Sequence, residues 1–352
     1  MTLLCLLACN KTTPITDSTI TTNDSAGDDS EVLDDCMTVP EEISPKDGGS
    51  GVYWRDSLRV TFTEPVEDTA FALRSTPTDT GVAVHEPALI ESWNVTDQIV
   101  DLTPQGYLHA DTDYALDITV CDVTYTSTFS TDSYGDALDI EATDLEGRAY
   151  VVELDDVDFT EPAGFGSFLG LYLDVPILIG VQELSPDGTT FDMLGAQGRL
   201  KNDGTYIQKC TETVDDVKYT VATWPFQEVS FNDPFFSGTA ELVTIRYDGA
   251  EIPVHDFHIE GTFSPDGESF GGAKLWGLGD TRNMAPMFDE ADDPNYVCEL
   301  VSGSGVECEP CPSDGEPLCL FLKGEDITAE HQDYITLKER DREVVEECPG
   351  SD

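Results

Sequence analysis

Three cysteines near the C-terminal end have a spacing that could support chemistry. Two residues separate Cys308 from Cys311, and Cys319 follows after a short segment. Thiolates at such spacing can hold zinc, act as a redox pair or close a structural loop. No histidine lies close by, Pro310 and Pro312 flank Cys311, and the strand-then-helix setting of a redox motif is missing. The spacing therefore predicts a loop closed by disulfides, with zinc as the alternative.

The other residues able to do chemistry do not converge on a site. His255 and His258 fall on a predicted strand, where a separation of three places them on opposite faces. Acidic residues crowd at 155–158 and 289–293, without the spaced ligands and glycine of an EF-hand loop. No glycine–serine segment fits the spacing of a nucleophile elbow. We predict no catalytic residue, no metal site and no cofactor, with weak divalent-cation binding left open.

The charge of the chain excludes one class of partner. The formal net charge is −54, from 71 acidic and 17 basic residues. Nucleic-acid binding requires Lys and Arg to neutralise phosphates, so we exclude it. Adaptation to salt, dispersed cation binding and simple solubility all remain explanations of the acidity. The longest apolar stretch, 162–181, is interrupted by Asp174 and Pro176, so the sequence predicts no transmembrane helix.

The N-terminal residues resemble a targeting signal. Leu6-Leu7-Ala8-Cys9, after a short apolar run, resembles the lipobox of bacterial lipoproteins. In that family the preceding segment is removed and the cysteine carries the lipid. The resemblance implies a signal and lipobox over 1–9, lipidation of Cys9 and, since Asn10 rather than Asp follows, attachment to the outer membrane. The alternative is an unprocessed apolar N-terminus.

A polar segment follows the lipobox. Residues 10–35 are mostly Thr, Ser and Asp, with no aromatic side chain and Lys11 as the one basic residue. Such a composition cannot bury enough apolar surface to offset ordering of the backbone, which predicts a disordered tether. In an exported protein, the even number of cysteines beyond Cys9 predicts up to four disulfides. The candidates are Cys36, Cys121, Cys210, Cys298, Cys308, Cys311, Cys319 and Cys348.

Alternating apolar and polar residues dominate the region 36–133. Clear examples are 58–62, 114–120 and 125–129, each bounded by turn-forming residues. This pattern is typical of half-buried antiparallel strands. About seven short strands in roughly 95 residues indicate a β-sandwich.

The same region resembles a known family, the bacterial Ig-like domain of the SbsA type. The residues that carry the resemblance lie at 43–48, 58–66, 100–104, 108–114 and 129–131. The resemblance implies a spacer or stalk without catalysis. It also places Tyr114 as a corner tyrosine bonded to a backbone carbonyl, and suggests a clip between Cys36 and Cys121.

The region 136–348 predicts a second, larger β domain. Strand patterns occur at 149–157, 175–184, 219–224, 240–247 and 254–263. Two Pro-Asp-Gly turns, at 186–188 and 265–267, each join two strand patterns and indicate hairpins. Recurring hairpins favour an antiparallel meander that closes as a barrel or packs as a sandwich.

Three helices are expected in this domain. Phe165, Phe168, Leu169 and Tyr172, with Leu173, form one apolar face at helical spacing. That helix would plug an open barrel end or line a pocket for an apolar ligand. A second helix is predicted at about 284–300, and a charged helical tail at 338–347.

These features predict a mainly β protein of two folded domains on a membrane anchor. The function they favour is a lipid-anchored protein of the outer membrane with a structural, display or adhesive role and no enzymatic activity. Its partners would be the membrane, through the lipid, and proteins or other cell-surface molecules. The alternatives are an envelope protein whose β domain holds an apolar ligand or lipid, and a secreted enzyme.

Overall fold

The computed structural model of the chain is mainly β. The described residues belong to one compact unit that begins at Thr38. They are 38–66, 68–76, 84–162, 175–214, 216–247, 250–285, 293–303 and 305–348. The predicted signal, tether, lipidated Cys9 and Cys36 lie outside these ranges. Within them, no helix is long and apolar enough to cross a membrane.

The first domain is a β-sandwich, as predicted. One sheet has the order β1-β3-β6-β5 and the other β2-β8-β7-β4. The side chains that alternate along β3 and β7, such as Val60 and Ile118, point into one core and are inaccessible to solvent. The strands are β1 Pro40–Ser44, β2 Gly49–Val52, β3 Leu58–Phe62, β4 Thr69–Ser75, β5 Leu89–Trp93, β6 Ile99–Pro104, β7 Asp113–Val120 and β8 Val123–Thr131.

Tyr114 is fully buried in the sandwich, but the hydrogen-bond partner of its hydroxyl differs from the expected one. The hydroxyl accepts a hydrogen bond from the backbone N–H of His109 at 2.9 Å, instead of donating to a carbonyl. It also lies 2.7 Å from Nδ1 of His85. The His85 imidazole is therefore a second partner of the hydroxyl, which meets a backbone N–H where a backbone carbonyl was expected.

The second domain is a closed antiparallel barrel of eight strands. Their order around the barrel is β9-β11-β12-β16-β17-β18-β19-β20, and pairing of Glu330 with Val151 and His331 with Tyr150 closes the ring. Both Pro-Asp-Gly turns join adjacent strands, β11 to β12 and β18 to β19, as predicted. The strands are β9 Ala149–Glu153, β11 Pro176–Leu184, β12 Thr190–Leu200, β16 Trp224–Asn232, β17 Phe235–Tyr247, β18 Ala250–Phe263, β19 Ser269–Asp280 and β20 Cys319–His331.

Smaller elements decorate the barrel. Strand β10, Asp158–Glu161, pairs with β20, and β13, Tyr206–Gln208, pairs with β12. A separate hairpin consists of β14, Thr211–Val214, and β15, Val217–Thr220.

An aromatic cluster fills part of the barrel interior. Neighbouring rings in it have centroids 4.9 to 6.3 Å apart. Every member is almost completely buried, so this part of the interior is packed as a core. The rings are those of Tyr150, Phe191, Phe236, Phe263 and Phe270.

The helix predictions were less successful than the strand predictions. The predicted apolar helix at 165–173 lies outside the described residues. In the region of the second predicted helix, the structure has a 3₁₀ turn at Thr281–Asn283 and a short α-helix, α1, at Tyr296–Ser302. Residues 286–292 are not among those described.

The predicted helical tail at 338–347 is wrong. The tail is extended alongside β15, where the Thr220 N–H donates to the carbonyl of Glu343 and the Val345 N–H donates to the carbonyl of Lys218. The disulfide between Cys210 and Cys348 fastens its end. Backbone pairing with a neighbouring strand therefore overrides the helical propensity of its charged residues.

Six of the candidate cysteines form three disulfides. Their Cα–Cα distances, 5.8, 5.7 and 5.0 Å, are ordinary for disulfides. Cys121 is also disulfide-bonded. The two cysteines of the Cys308-x-x-Cys311 motif bond to different partners, which leaves no thiolate set for zinc. The pairs are Cys210–Cys348, Cys298–Cys308 and Cys311–Cys319.

Candidate functional site

The sandwich and the barrel meet through a dry, hydrogen-bonded contact. Tyr53 follows β2 of the sandwich, and its hydroxyl lies 2.5 Å from Oγ1 of Thr262 on β18. The indole N–H of Trp54 donates to the same Oγ1 at 3.2 Å. Tyr53 is 4% exposed and Thr262 is 0% exposed, so water does not compete for the bond between them, and the Trp54 bond is partly buried. Buried bonds of this kind specify one orientation of the two domains.

Two consecutive glycines on β19 make this contact possible. A Cβ atom built on Gly272 would lie 2.1 Å from a ring carbon of Tyr53, and one on Gly271 would lie 2.3 Å from the ring of Tyr134. Gly272 also has a φ of +54°, where side chains are disfavoured. The register of β19 against β20 shifts between Phe270 and Ala273, so the glycines belong to a bulge. The aromatic rings of the sandwich therefore sit directly on the bulged backbone of the barrel. We call this the aromatic contact, formed by Tyr53, Trp54, Tyr134, Thr262, Gly271 and Gly272.

Beside the aromatic contact, the two domains enclose a polar cleft of about 680 Å³. Four basic and five acidic side chains line it. The chain as a whole has only 17 basic residues against 71 acidic ones, so the cleft is a nearly charge-balanced patch in an acidic protein. We call it the charged cleft, lined by Glu42, Ser44, Arg55, Asp56, Ser57, Arg59, Thr61, Asp101, Lys274, Lys323, Glu325 and Asp326.

One ion pair crosses the charged cleft from barrel to sandwich, Lys274 with Asp56, and others lie within the barrel wall. Nζ of Lys274 lies 3.4 Å from Oδ1 of Asp56 and 3.8 Å from Oε1 of Glu325. Lys323 approaches Glu325 at 2.8 Å. Burial raises the pKa of Asp56, and Lys274 partly opposes this effect. The Lys274 ammonium group is not in close contact with either carboxylate, so polar groups of a bound molecule have room beside it.

Arg55 is the basic residue of the cleft without a carboxylate partner among the described residues. Its guanidinium carbon lies 3.5 Å from the centroid of the Phe235 ring and 4.6 Å from that of Tyr107. One guanidinium N–H donates to the Tyr107 hydroxyl at 3.0 Å. Cation–π contacts of this kind fix the plane of a guanidinium while leaving N–H groups available.

A second backbone irregularity shapes the barrel wall of the cleft. Asp326 on β20 has a φ of +54°, which is uncommon for a residue with a side chain. The facing bulge at Gly272 lies on the adjacent strand. Backbone irregularities in a strand change the direction of nearby side chains. The irregularities at Gly272 and Asp326 both lie where the barrel wall of the cleft meets the sandwich.

A smaller cleft of about 320 Å³ shares Ser44, Asp56, Ser57 and Asp326 with the charged cleft. Asp132 lines it, and burial raises the pKa of this carboxyl to about 7, helped by the charges of Asp56 and Asp111. The carboxylate accepts a hydrogen bond from the backbone N–H of Tyr134. Asp132 is therefore a group at the domain boundary that titrates near neutral pH.

The barrel interior offers much less space. Its cavity measures about 40 Å³ and has an entirely apolar lining, which includes Val152, Ile177, Phe226 and Phe257. Pockets for drug-sized ligands usually measure roughly 300–1,000 Å³. The predicted lining of Phe165, Phe168, Leu169 and Tyr172 lies outside the described residues.

The two histidines on β18 do not behave as the regular strand pattern predicted. Asp256 between them has a φ of +48° and the register shifts there, so His255 and His258 both face away from the interior. His258 stacks on Trp276 with centroids 3.9 Å apart and lies 3.0 Å from the Ser237 hydroxyl. Burial lowers the pKa of His258. In the described ranges, no three His, Cys, Asp or Glu side chains are grouped to hold a metal ion.

Comparisons with known proteins identify no family. No family model and no curated protein matches the chain. Among solved structures, an L,D-transpeptidase from Mycobacterium tuberculosis H37Rv is 13% identical with a TM-score of 0.20, over 48% of this chain and 78% of that one. Domains 1–6 of the surface layer protein SbsC are 13% identical with a TM-score of 0.21, over 68% of this chain and 39% of that one. A DUF4784 family protein from Bacteroides caccae is 9% identical with a TM-score of 0.20, over 67% and 76%. Likenesses at this level carry no functional conclusion.

Proposed function

We propose that this protein is a lipid-anchored cell-envelope protein with a structural, display or adhesive role and no enzymatic activity. The observation that supports the proposal best is the aromatic contact, because it joins a sandwich and a barrel into one rigid body. Tyr53 forms a buried hydrogen bond with Thr262, Trp54 forms a partly buried one, and Gly271 and Gly272 let the domains approach closely. A rigid body of this kind suits presentation of a surface at a distance from a membrane.

The cysteine pairing is consistent with an oxidising location outside the cytoplasm. Three disulfides occur in the described residues, and one of them ties the C-terminal segment to the rest of the domain over a separation of 138 residues. Such bonds persist mainly in secreted and envelope proteins. The high negative charge would keep a displayed domain soluble.

The filled barrel favours a scaffold over a carrier of apolar molecules. Its aromatic cluster packs one part of the interior, and the remaining cavity of about 40 Å³ is far below the size of a lipid-binding pocket. The carrier proposal predicts that native mass spectrometry of the purified full chain detects a bound lipid or other apolar molecule. The scaffold proposal predicts the mass of the chain alone, apart from its own anchor.

Mass spectrometry of the N-terminal peptide from native membranes tests the anchor. We expect a peptide that begins at Cys9 and carries acyl chains, and a Cys9→Ser variant that appears in the soluble fraction. Protease treatment of intact cells would then show whether the folded body is exposed at the surface. An unmodified peptide that begins at Met1, together with free thiols in place of the three disulfides, would contradict the proposal.

A further inference from the structure

We infer that the charged cleft binds a sugar that carries one carboxylate, a hexuronate. This goes beyond a scaffold or display role, because it assigns a ligand chemistry to the space between the two domains. The cleft of about 680 Å³ has room for a monosaccharide or a short oligosaccharide. Domain boundaries are also where small-molecule sites commonly occur.

Arg55 supplies the group that would recognise the carboxylate. Planar guanidinium groups bind carboxylates with two parallel hydrogen bonds. Phe235 and Tyr107 hold the plane of the Arg55 group, while no described carboxylate forms an ion pair with it. In a chain with 71 acidic residues, a basic residue fixed by aromatic rings and left without such a partner is available for an external anion.

The rest of the cleft matches the hydroxyl groups of a sugar. Ionised carboxylates are pure acceptors, and a sugar hydroxyl can donate to them. Glu42 and Asp326 line the cleft and form no ion pair among the described residues, whereas both carboxylate oxygens of Asp101 accept hydrogen bonds from Arg59. The hydroxyls of Ser44, Ser57 and Thr61 can both donate and accept. Together these residues provide acceptors for several hydroxyls around one carboxylate site.

The charge balance decides between a carboxylate and other anions. Arg59, Lys274 and Lys323 are paired with carboxylates, so Arg55 is the basic group left to attract a ligand anion, and the net acidic lining repels each further negative charge. Inorganic phosphate is a mixture of monoanion and dianion at neutral pH, so its mean charge exceeds that of a hexuronate and it meets the same five carboxylates. A neutral sugar would form the hydroxyl contacts but not the bidentate hydrogen bonds between a carboxylate and Arg55, so it would bind more weakly.

Isothermal titration of the full chain with D-glucuronate tests the inference. We expect saturable one-site binding that is at least tenfold tighter than binding of D-glucose or inorganic phosphate. Arg55→Gln should weaken glucuronate binding at least tenfold. Arg74→Gln is the matched control, because Arg74 forms an exposed ion pair with Asp117 away from the cleft, and it should change the affinity less than twofold.

Amide shifts in the wild-type protein provide a test that does not depend on a variant. We expect glucuronate to perturb residues 55–59 and 323–326 and to leave the β14–β15 hairpin unchanged. Three results would overturn the inference: no saturable binding, equal affinity for glucose or phosphate, or perturbed amides away from the cleft. The result does not depend on the anchor, since an unlipidated protein with a functional cleft would contradict only the proposed location.

Discussion

The two sides of the boundary between sandwich and barrel are built from neighbouring residues with opposite properties. Tyr53 and Trp54 form short bonds to Thr262 in a dry contact, at 2.5 and 3.2 Å. The next two residues, Arg55 and Asp56, line a solvent-accessible cleft where the ion pair to Lys274 is 3.4 Å long. The four consecutive residues 53–56 thus contribute both to the packed aromatic contact and to the open charged cleft.

This difference suggests that orientation and recognition are separated along the boundary. The aromatic contact sets how the domains are placed, because its atoms have no free volume for adjustment. The charged cleft adds little stability, because its ion pairs are partly solvated and the pair that joins the two domains, Lys274 with Asp56, is long. Substitutions in the aromatic contact and in the charged cleft should therefore change stability by different amounts and with different dependence on pH and salt.

The largest effect is expected for Gly272→Ala. The new methyl group would collide with the Tyr53 ring at a residue whose φ is +54°, so packing and backbone strain add together. We expect a loss of about 2–4 kcal/mol in the free energy of unfolding, measured with guanidinium chloride.

Gly188→Ala is the matched control for this substitution. Gly188 has a similar φ of +71°, but a Cβ there meets no atom within 4 Å. It should lose only about 1 kcal/mol, from backbone strain alone. Equal losses in the two variants would show that the aromatic contact is not tightly packed.

Thr262→Val should produce the next largest effect. The substitution keeps the shape of the side chain but leaves the Tyr53 hydroxyl and the Trp54 indole N–H without their shared partner. We expect a loss of about 1–3 kcal/mol in unfolding free energy, since the Tyr53 hydroxyl stays buried and the Trp54 N–H stays partly buried.

The control for Thr262 is Thr119→Val. Thr119 pairs with Thr124 across two strands at 3.0 Å, but on an exposed surface where water replaces the lost bond. Its unfolding free energy should change by less than about 0.5 kcal/mol. If Thr119→Val lost as much unfolding free energy as Thr262→Val, burial would not explain the importance of the Thr262 hydroxyl.

Asp132→Asn should give a smaller, pH-dependent gain. The pKa of Asp132 is about 7 in the folded protein, above the ordinary value of 3.8 for an aspartate, so the folded state binds the proton more tightly. Stability from this group is therefore complete in acid and is lost as the pH rises through 7. The asparagine should stabilise the protein at pH 8 by about 1–2 kcal/mol, after allowance for solvent screening, and by nearly nothing at pH 4.

Thermal unfolding at both pH values checks this prediction. Asp203→Asn is the control, because hydrogen bonds from Thr205 lower the pKa of that exposed carboxyl. It should show no gain at pH 8. A gain from Asp132→Asn of the same size at both pH values would mean that ionisation of Asp132 is not the cause.

Lys274→Met should give the smallest change. The substitution removes two long, partly exposed ion pairs but keeps much of the apolar stem. We expect a loss of at most about 1 kcal/mol, which decreases further in 1 M NaCl. A loss as large as that of Thr262→Val, unaffected by salt, would show that the cleft also fixes the domains.

Local patterns explain which parts of the fold were predictable. The alternation at 58–62 and 114–120 became β3 and β7 because one face of each strand is buried in the sandwich core. The Pro-Asp-Gly turns predicted hairpins because glycine supplies the positive φ that these turns need, as at Gly188 and Gly267.

The candidate site depends on contacts between distant residues, which such patterns do not contain. Nothing local in the Gly271-Gly272 pair shows that Tyr53, more than 200 residues earlier, will pack on it. The bulge at Asp256 likewise reversed the expected placement of His258, because one inserted residue changes which side chains share a face. Arg55 gave no signal in the sequence, since its importance lies in the absence of an acidic partner in the described structure.

The most direct test of the joined domains is NMR relaxation of backbone amides in the full chain. If the aromatic contact holds the sandwich and barrel as one rigid body, amides in β7 and in β18 will report the same rotational correlation time at pH 6 and at pH 8. A shorter correlation time for the sandwich than for the barrel would show that the domains move independently, and would contradict the account.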